Sequence, residues 1–165
     1  MKIHEILVAT NNEHKVKEFK DIFEPYGILV HTPNELKINI DPEENGKTYY
    51  ENALIKAKSF SKFCNFPIVA DDSGIEIDVL GKCYPGIHSH RFMSEKGGQK
   101  ETLKYLENNC LNSSARFHSS IVVINLEKTP LEFIGEVEGK ITNIVKGDAL
   151  NAEGQMEKFA IETGL

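Results

Sequence analysis

The stretch "PIVADDSGIEID", Pro67–Asp78, drives a short apolar run into two adjacent aspartates, then Ser-Gly, then a second run in which apolar and acidic residues alternate. Two readings compete. Asp, Ser and Gly are ordinary turn residues, so the acidic pair can mark a polar turn between two strands, "PIVADDS" and "IEIDVL". The other reading is a cation site, in which the carboxylates hold a metal ion at the carboxyl end of a strand and their mutual repulsion is compensated. Both place strands on either side. They differ in what Asp71 and Asp72 do.

Upstream, "EILVAT" (Glu5–Thr10) has strand length and meets "NNEHK", after which Val16, Phe19, Ile22 and Phe23 recur on one helical face. "PYG" (Pro25–Gly27) stops that helix, and "ILV" (Ile28–Val30) opens a second strand. Pro33–Thr48 is polar and acidic and predicts a loop. "YYENALIKAKSFSKFC" (Tyr49–Cys64) predicts a helix striped by Tyr50, Ala53, Leu54, Ala57 and Phe60, with Asn52 and Lys56 sharing the opposite side at i and i+4. Downstream, "GQKETLKYLENN" reads as a helix, and "ARFHSSIVVINL" and "LEFIGEVEGKITNIV" as two strands with a turn near Lys128–Pro130. Strand–helix–strand early and paired long strands late predict an α/β domain with a mixed sheet flanked by helices. Ligands in such sheets sit where the carboxyl ends of strands meet loops, and both "ATNNEHK" and "ADDSG" are read into that position.

The 165 residues are most simply one domain, and 40% hydrophobic with 27% charged residues is an ordinary globular balance. A net charge of −6 argues against non-specific binding to nucleic acid, and any phosphate-bearing ligand must be met by local cations. No apolar run approaches the roughly 20 residues that span a bilayer. "MKIHEILVATNNEHK" reads as neither a signal nor a transit peptide. Cys64, Cys83 and Cys110 are odd in number and lack CxxC spacing, as expected of reduced thiols in a cytoplasmic protein.

Three familiar motifs fail on inspection. "NGKT" (Asn45–Thr48) lacks the glycine of a P-loop, whose place is taken by Asp41, and Glu43 and Glu44 would repel phosphates there. Cys83, His88 and His90 fit no common structural-zinc spacing. No G-x-S-x-G elbow selects a nucleophilic serine. "TNNEHK" (Thr10–Lys15), by contrast, follows a strand and opens a helix, where backbone N–H groups, side-chain amides and an ammonium favour an anion. The same residues also make a plain N-cap. A metal-bound phosphate chain needs oxygen ligands for the cation and donors for the phosphates. Asp71, Asp72 and Glu44 can supply the first, and Lys15, Lys56, Arg91, Thr10, Asn12 and Ser73 the second.

"ATNNEHKVKEF", "ENALIKAK", "ADDSGIEIDVLGKCYPGIHSHRF" and "GEVEGKI" together resemble, in order and with natural spacing, the inosine triphosphate pyrophosphatase (Ham1-like) family over roughly residues 3 to 147. The resemblance implies a homodimeric α/β enzyme with an elongated mixed sheet and a cleft between two lobes. It implies Mg²⁺-dependent hydrolysis of ITP, dITP and XTP to the monophosphate and pyrophosphate. On that resemblance Thr10, Asn11, Asn12, Glu13, His14 and Lys15 form the triphosphate-binding loop, and Lys56 contacts phosphate. Glu44 and Asp72 hold Mg²⁺, and Asp72 also accepts the proton. Asp71 and Ser73 line the same site, and Arg91 lies near its edge.

The likeness stops at the C-terminal side. Where the family carries a "GFGYDPIF"-like segment, a lysine and a "SHR" triplet, this chain reads "VKGDALNAEGQMEKFAIETGL" (Val145–Leu165). "SHR" at Ser89–Arg91 lies inside the "PG..S.R" element and is no substitute. Residues 1–165 are thus expected to be a pyrophosphatase domain short at its C-terminal end, with the departure falling on base recognition. The alternatives are a catalytically weak nucleotide-binding protein of the same fold, or a related pyrophosphatase for modified pyrimidine nucleotides. "AEGQMEKFAIETGL" has the apolar spacing of a short amphipathic helix.

Overall fold

The structure, a computed structural model, describes residues 2–142. The helix expected at the C-terminal end lies outside the described residues, as does the departure from the family pattern. Among the described residues five strands form a mixed sheet in the order β2-β1-β3-β4-β5. They are β1 (Glu5–Val8), β2 (Leu29–His31), β3 (Ile68–Ile77), β4 (Ser114–Ile124) and β5 (Leu131–Lys140). Helices α1 (Glu13–Phe23), α2 (Tyr49–Phe60), α3 (Ser89–Glu95) and α4 (Gln99–Asn109) accompany them. β1 runs parallel to β2, with Ile6 opposite Val30, and parallel to β3, with Val8 opposite Val69. Arg116 meets Glu138 and His118 meets Glu136, so partners descend along β5 as they rise along β4, as in an antiparallel hairpin.

Among the described residues two compact units emerge, 2–72 with 120–133, and 73–119 with 134–142. In the first, the period-2 alternation of the strands sends alternate side chains to two helices. Ile6, Val8, Val30 and Val69 pack with Phe19 of α1. Leu7, Ala9, Ile68 and Ala70 pack with Ala53, Ala57 and Phe60 of α2. A short parallel strand buried on both faces must be apolar throughout, which explains "ILV" in β1. The second unit has its own core of Ile75, Ile77, Phe92, Met93, Leu106, Cys110, Ala115 and Ile141.

One expectation is overturned. No turn interrupts Pro67–Asp78: β3 is a single ten-residue strand, and "ADDSG" lies in its middle rather than at its carboxyl end. Turn-prone residues are held extended because the ladder and their side-chain partners outweigh local preference. Gly74 serves close packing, since a Cβ there would overlap the Gly86 carbonyl oxygen and lie 2.8 Å from Ser89 Oγ. Ser89 Oγ donates to Gly86 O (2.6 Å) and accepts from Ile75 N (2.9 Å), which explains the serine of "PG..S.R".

Candidate functional site

The alternation that builds the first unit also parts the two aspartates. Asp71 follows Ala70 and shares the face of Val69, which belongs to α1; Asp72 shares the face of Ala70, which belongs to α2. Each meets a polar group from its own helix. Lys15 Nζ of α1 lies 3.0 Å from Asp71 Oδ2, both side chains being well shielded at 22% and 9% exposure. Asn52 of α2 donates through Nδ2 to Asp72 Oδ2 at 3.3 Å. Lys56, one turn further along α2, donates to the Asp71 carbonyl oxygen at 2.8 Å and pairs with Glu44 Oε1 at 2.7 Å. Neighbouring carboxylates are tolerable here because they point apart and each has its own donor.

Local structure fixes these donors. Asn12 caps α1, accepting from His14 N (3.0 Å) and Lys15 N (3.3 Å), and Thr10 Oγ1 accepts from Asn12 N at 3.1 Å. Thr48 caps α2 by accepting from Glu51 N at 3.0 Å, while Glu51 Oε2 accepts from Lys47 N at 2.6 Å. Asn52 Oδ1 accepts from Gly46 N at 2.7 Å. The segment carrying Glu44 is thereby fastened to the first turn of α2.

Burial first, then the nearby Glu44 carboxylate, push the Asp72 carboxyl up to about 6 from its ordinary 3.8, against the pull of Lys56 and the Asn52 hydrogen bond; Asp71 adds to the rise. An under-compensated carboxylate with a second one near it, all donors being oxygen, suits a hard divalent cation. Among the described residues no group of three or more His, Cys, Asp or Glu side chains is arranged to cage a metal ion. Mg²⁺ rarely needs such a cage, since it takes one or two carboxylates and completes its shell with waters and phosphate oxygens. Glu44 and Asp72 fit that demand.

A family model described as the Ham1 family matches residues 6–150. The chain belongs to the Ham1 family. Among curated relatives, a protein of Leptospira interrogans named dITP/XTP pyrophosphatase is 39% identical over 142 residues, covering 84% of this chain and 71% of its own. One from Bacillus licheniformis with the same name is 37% identical, covering 87% and 75%. The Ham1 protein of Staphylococcus aureus superposes with a TM-score of 0.74 at 30% identity, covering 98% of this chain and 86% of its own. A HAM1 protein from Coxiella burnetii gives 0.77 at 28%, covering 99% and 87%.

Of the residues singled out from sequence, Lys15, Glu44, Lys56, Asp71 and Asp72 converge, with Thr10 and Asn12 holding the turn that presents Lys15. Asn11 does different work: its Oδ1 accepts from Asn34 N at 3.0 Å and ties this turn to the following loop. Glu13 and His14 are exposed in the first turn of α1. Ser73 follows Asp72 on β3 but begins the second unit, and Arg91 is exposed on α3 of that unit. Asn52 is a site residue that sequence reasoning does not select. Its i, i+4 relation to Lys56 is visible in the sequence, but its burial to 4% exposure is not.

Proposed function

We propose that this Ham1-family protein hydrolyses non-standard purine nucleoside triphosphates of the ITP, dITP and XTP class to the monophosphate and pyrophosphate. The observation that carries the reading is the mid-strand pair Asp71–Asp72, met from opposite faces by Lys15 and by Asn52 and Lys56, in a chain whose relatives are named for that reaction. The turn Thr10–Lys15 and Lys56 bind the triphosphate, their positive charge offsetting it within a chain of net charge −6. Glu44 and Asp72 hold Mg²⁺, which when bound neutralises charge on the triphosphate and its leaving group. Asp72 orients a water and takes its proton. The water oxygen bonds to the α-phosphorus as the bond from that phosphorus to the β-bridging oxygen breaks, and the electron pair leaves with pyrophosphate. Without metal the Asp72 carboxyl, raised to about 6, is still mostly ionised at neutral pH, as a cation ligand and a base must be.

Asp71 and Ser73 are assigned to the lining of the site and Arg91 to its edge, and Asn11, Glu13 and His14 belong with Thr10, Asn12 and Lys15 to the triphosphate-binding loop. The protein works as a homodimer in the cytoplasm. No described helix is long and apolar enough to cross a membrane, and Cys64, Cys83 and Cys110 are free thiols, which supports a reducing compartment.

The test is product analysis after incubation with ITP, dITP, XTP, dGTP, dUTP and ATP, with and without Mg²⁺. Monophosphate and pyrophosphate from the ITP, dITP and XTP incubations alone, dependent on Mg²⁺, is the expected result. Preference for dUTP would move the reading to modified pyrimidines. Absence of turnover with retained ligand-induced thermal stabilisation would reduce the protein to a nucleotide binder.

A further inference from the structure

On α2, two residues one turn apart each touch the same two elements. Lys56 reaches the Glu44 carboxylate (2.7 Å) and the Asp71 carbonyl (2.8 Å). Asn52 reaches the Gly46 amide (2.7 Å) and the Asp72 carboxylate (3.3 Å). The pair forms two crossbars between the Glu44 segment and β3. The role of Lys56 belongs to the reading above; that of Asn52 does not.

We propose that Asn52 is a positioning residue, whose side-chain amide sets the spacing and orientation of Asp72 relative to the segment that carries Glu44. This rests on the functional reading of Asp72 and Glu44 given above.

Its orientation is fixed by chemistry. Gly46 N–H needs an acceptor and the Asp72 carboxylate needs a donor, and the amide satisfies both in only one of its two flips. Reversed, it would set NH₂ against N–H and a carbonyl against a carboxylate. At 4% exposure, water offers little alternative. Gly46 has no slack either, since a Cβ there would lie 2.7 Å from Asn52 Oδ1 and 2.7 Å from Glu51 Cβ. A shift of the amide is therefore transmitted to both carboxylate-bearing segments.

Asn52→Asp separates the two halves. It keeps an acceptor for Gly46 N–H but sets a carboxylate against Asp72. We expect the Mn²⁺ concentration for half-saturation, read by electron paramagnetic resonance on the free protein, to change about tenfold or more, in the range typical of groups that orient metal ligands. With ITP and Mg²⁺, kcat falls about 10- to 100-fold with little change in the KM for nucleotide. Adding Asp72→Asn restores a donor–acceptor pair in reverse order. The double variant Asn52→Asp/Asp72→Asn should then recover the thermal stability lost by Asn52→Asp at pH 8, while remaining inactive.

Additive Tm changes across that cycle would overturn the proposal, because the contact would not be coupling the residues. So would an unchanged Mn²⁺ midpoint with unchanged kcat. If Asn52→Asp fails to fold, Asn52→Ala, which removes both contacts without adding charge, must show the same displaced Mn²⁺ midpoint, and a wild-type midpoint overturns the proposal. Wild-type protein inert toward every nucleotide would refute the proposed function instead, and the Tm cycle would still decide whether Asn52 couples to Asp72.

Discussion

Asp72 is a carboxylate that the fold holds at a cost. Its proton is bound more tightly in the folded chain, near 6, than in the unfolded one, near 3.8. Between those values the native state holds more proton, so metal-free stability falls as pH rises from about 4 to about 6 and stays low above. A carboxyl raised from 3.8 to about 6 sets a ceiling of about 3 kcal/mol on that loss, and residual contact with solvent lowers the expectation to about 2 kcal/mol. Asp72→Asn should therefore lose turnover by about 100-fold or more, yet melt no lower than wild type in EDTA at pH 7.5. Its advantage over wild type should shrink toward pH 4. Calorimetry across that range checks the sign, and surviving turnover would remove Asp72 from its assigned role. Lys15 behaves oppositely: Lys15→Ala leaves the shielded Asp71 carboxylate without its 3.0 Å partner. A loss of about 2 kcal/mol in urea unfolding is expected, less than for a fully buried pair because Lys15 retains some exposure.

At the scale of elements, legibility follows how much each segment depends on its own residues. α2 is readable because stripe and i, i+4 pair are both local, and the structure places it at Tyr49–Phe60, with a cap at Thr48 that the sequence reading assigns to the loop. β3 reads from sequence as two strands with a turn because Asp-Asp-Ser-Gly is turn-like in isolation; what keeps it extended is its pairing between β1 and β4, together with Lys15, Asn52 and Lys56, all remote in sequence. α3, at seven residues, is too short to announce itself by period. The site residues that carry charge are legible as types, but the opposite-face arrangement of Asp71 and Asp72 requires the strand to be continuous. Gly74 offers a test at this scale. Gly74→Ala forces a methyl into the Gly86 carbonyl, where backbone rather than a flexible side chain must yield. A loss of about 3 kcal/mol is expected in chemical denaturation, and an unchanged midpoint would show that the turn at Gly86 adapts freely.

For the whole molecule, the chemistry is assigned to a patch of the first unit, while the second has a separate core. A non-hydrolysable ITP analogue with Mg²⁺ should slow amide exchange around residues 10–16, 44–52 and 70–73, and leave the helix of residues 99–109 unaffected. At a hundredfold excess over Kd it should add about 2.7 kcal/mol to stability. Protection spread evenly over all helices would contradict a ligand seated on α1, α2 and β3.

The division of β3, β4 and β5 between the two units has a consequence for biosynthesis. The unit that carries Asp72 also requires Ser120–Phe133. Val122 and Ile124 complete one of its cores, and Ile121 and Val123 pack against the other. A nascent chain elongating at about 5–20 residues per second therefore waits roughly 3–12 s after Asp72 before that hairpin exists. Through that interval Ile68 and Val69 lack neighbours that will later shield them, and translation speed through the intervening codons becomes a variable of folding yield.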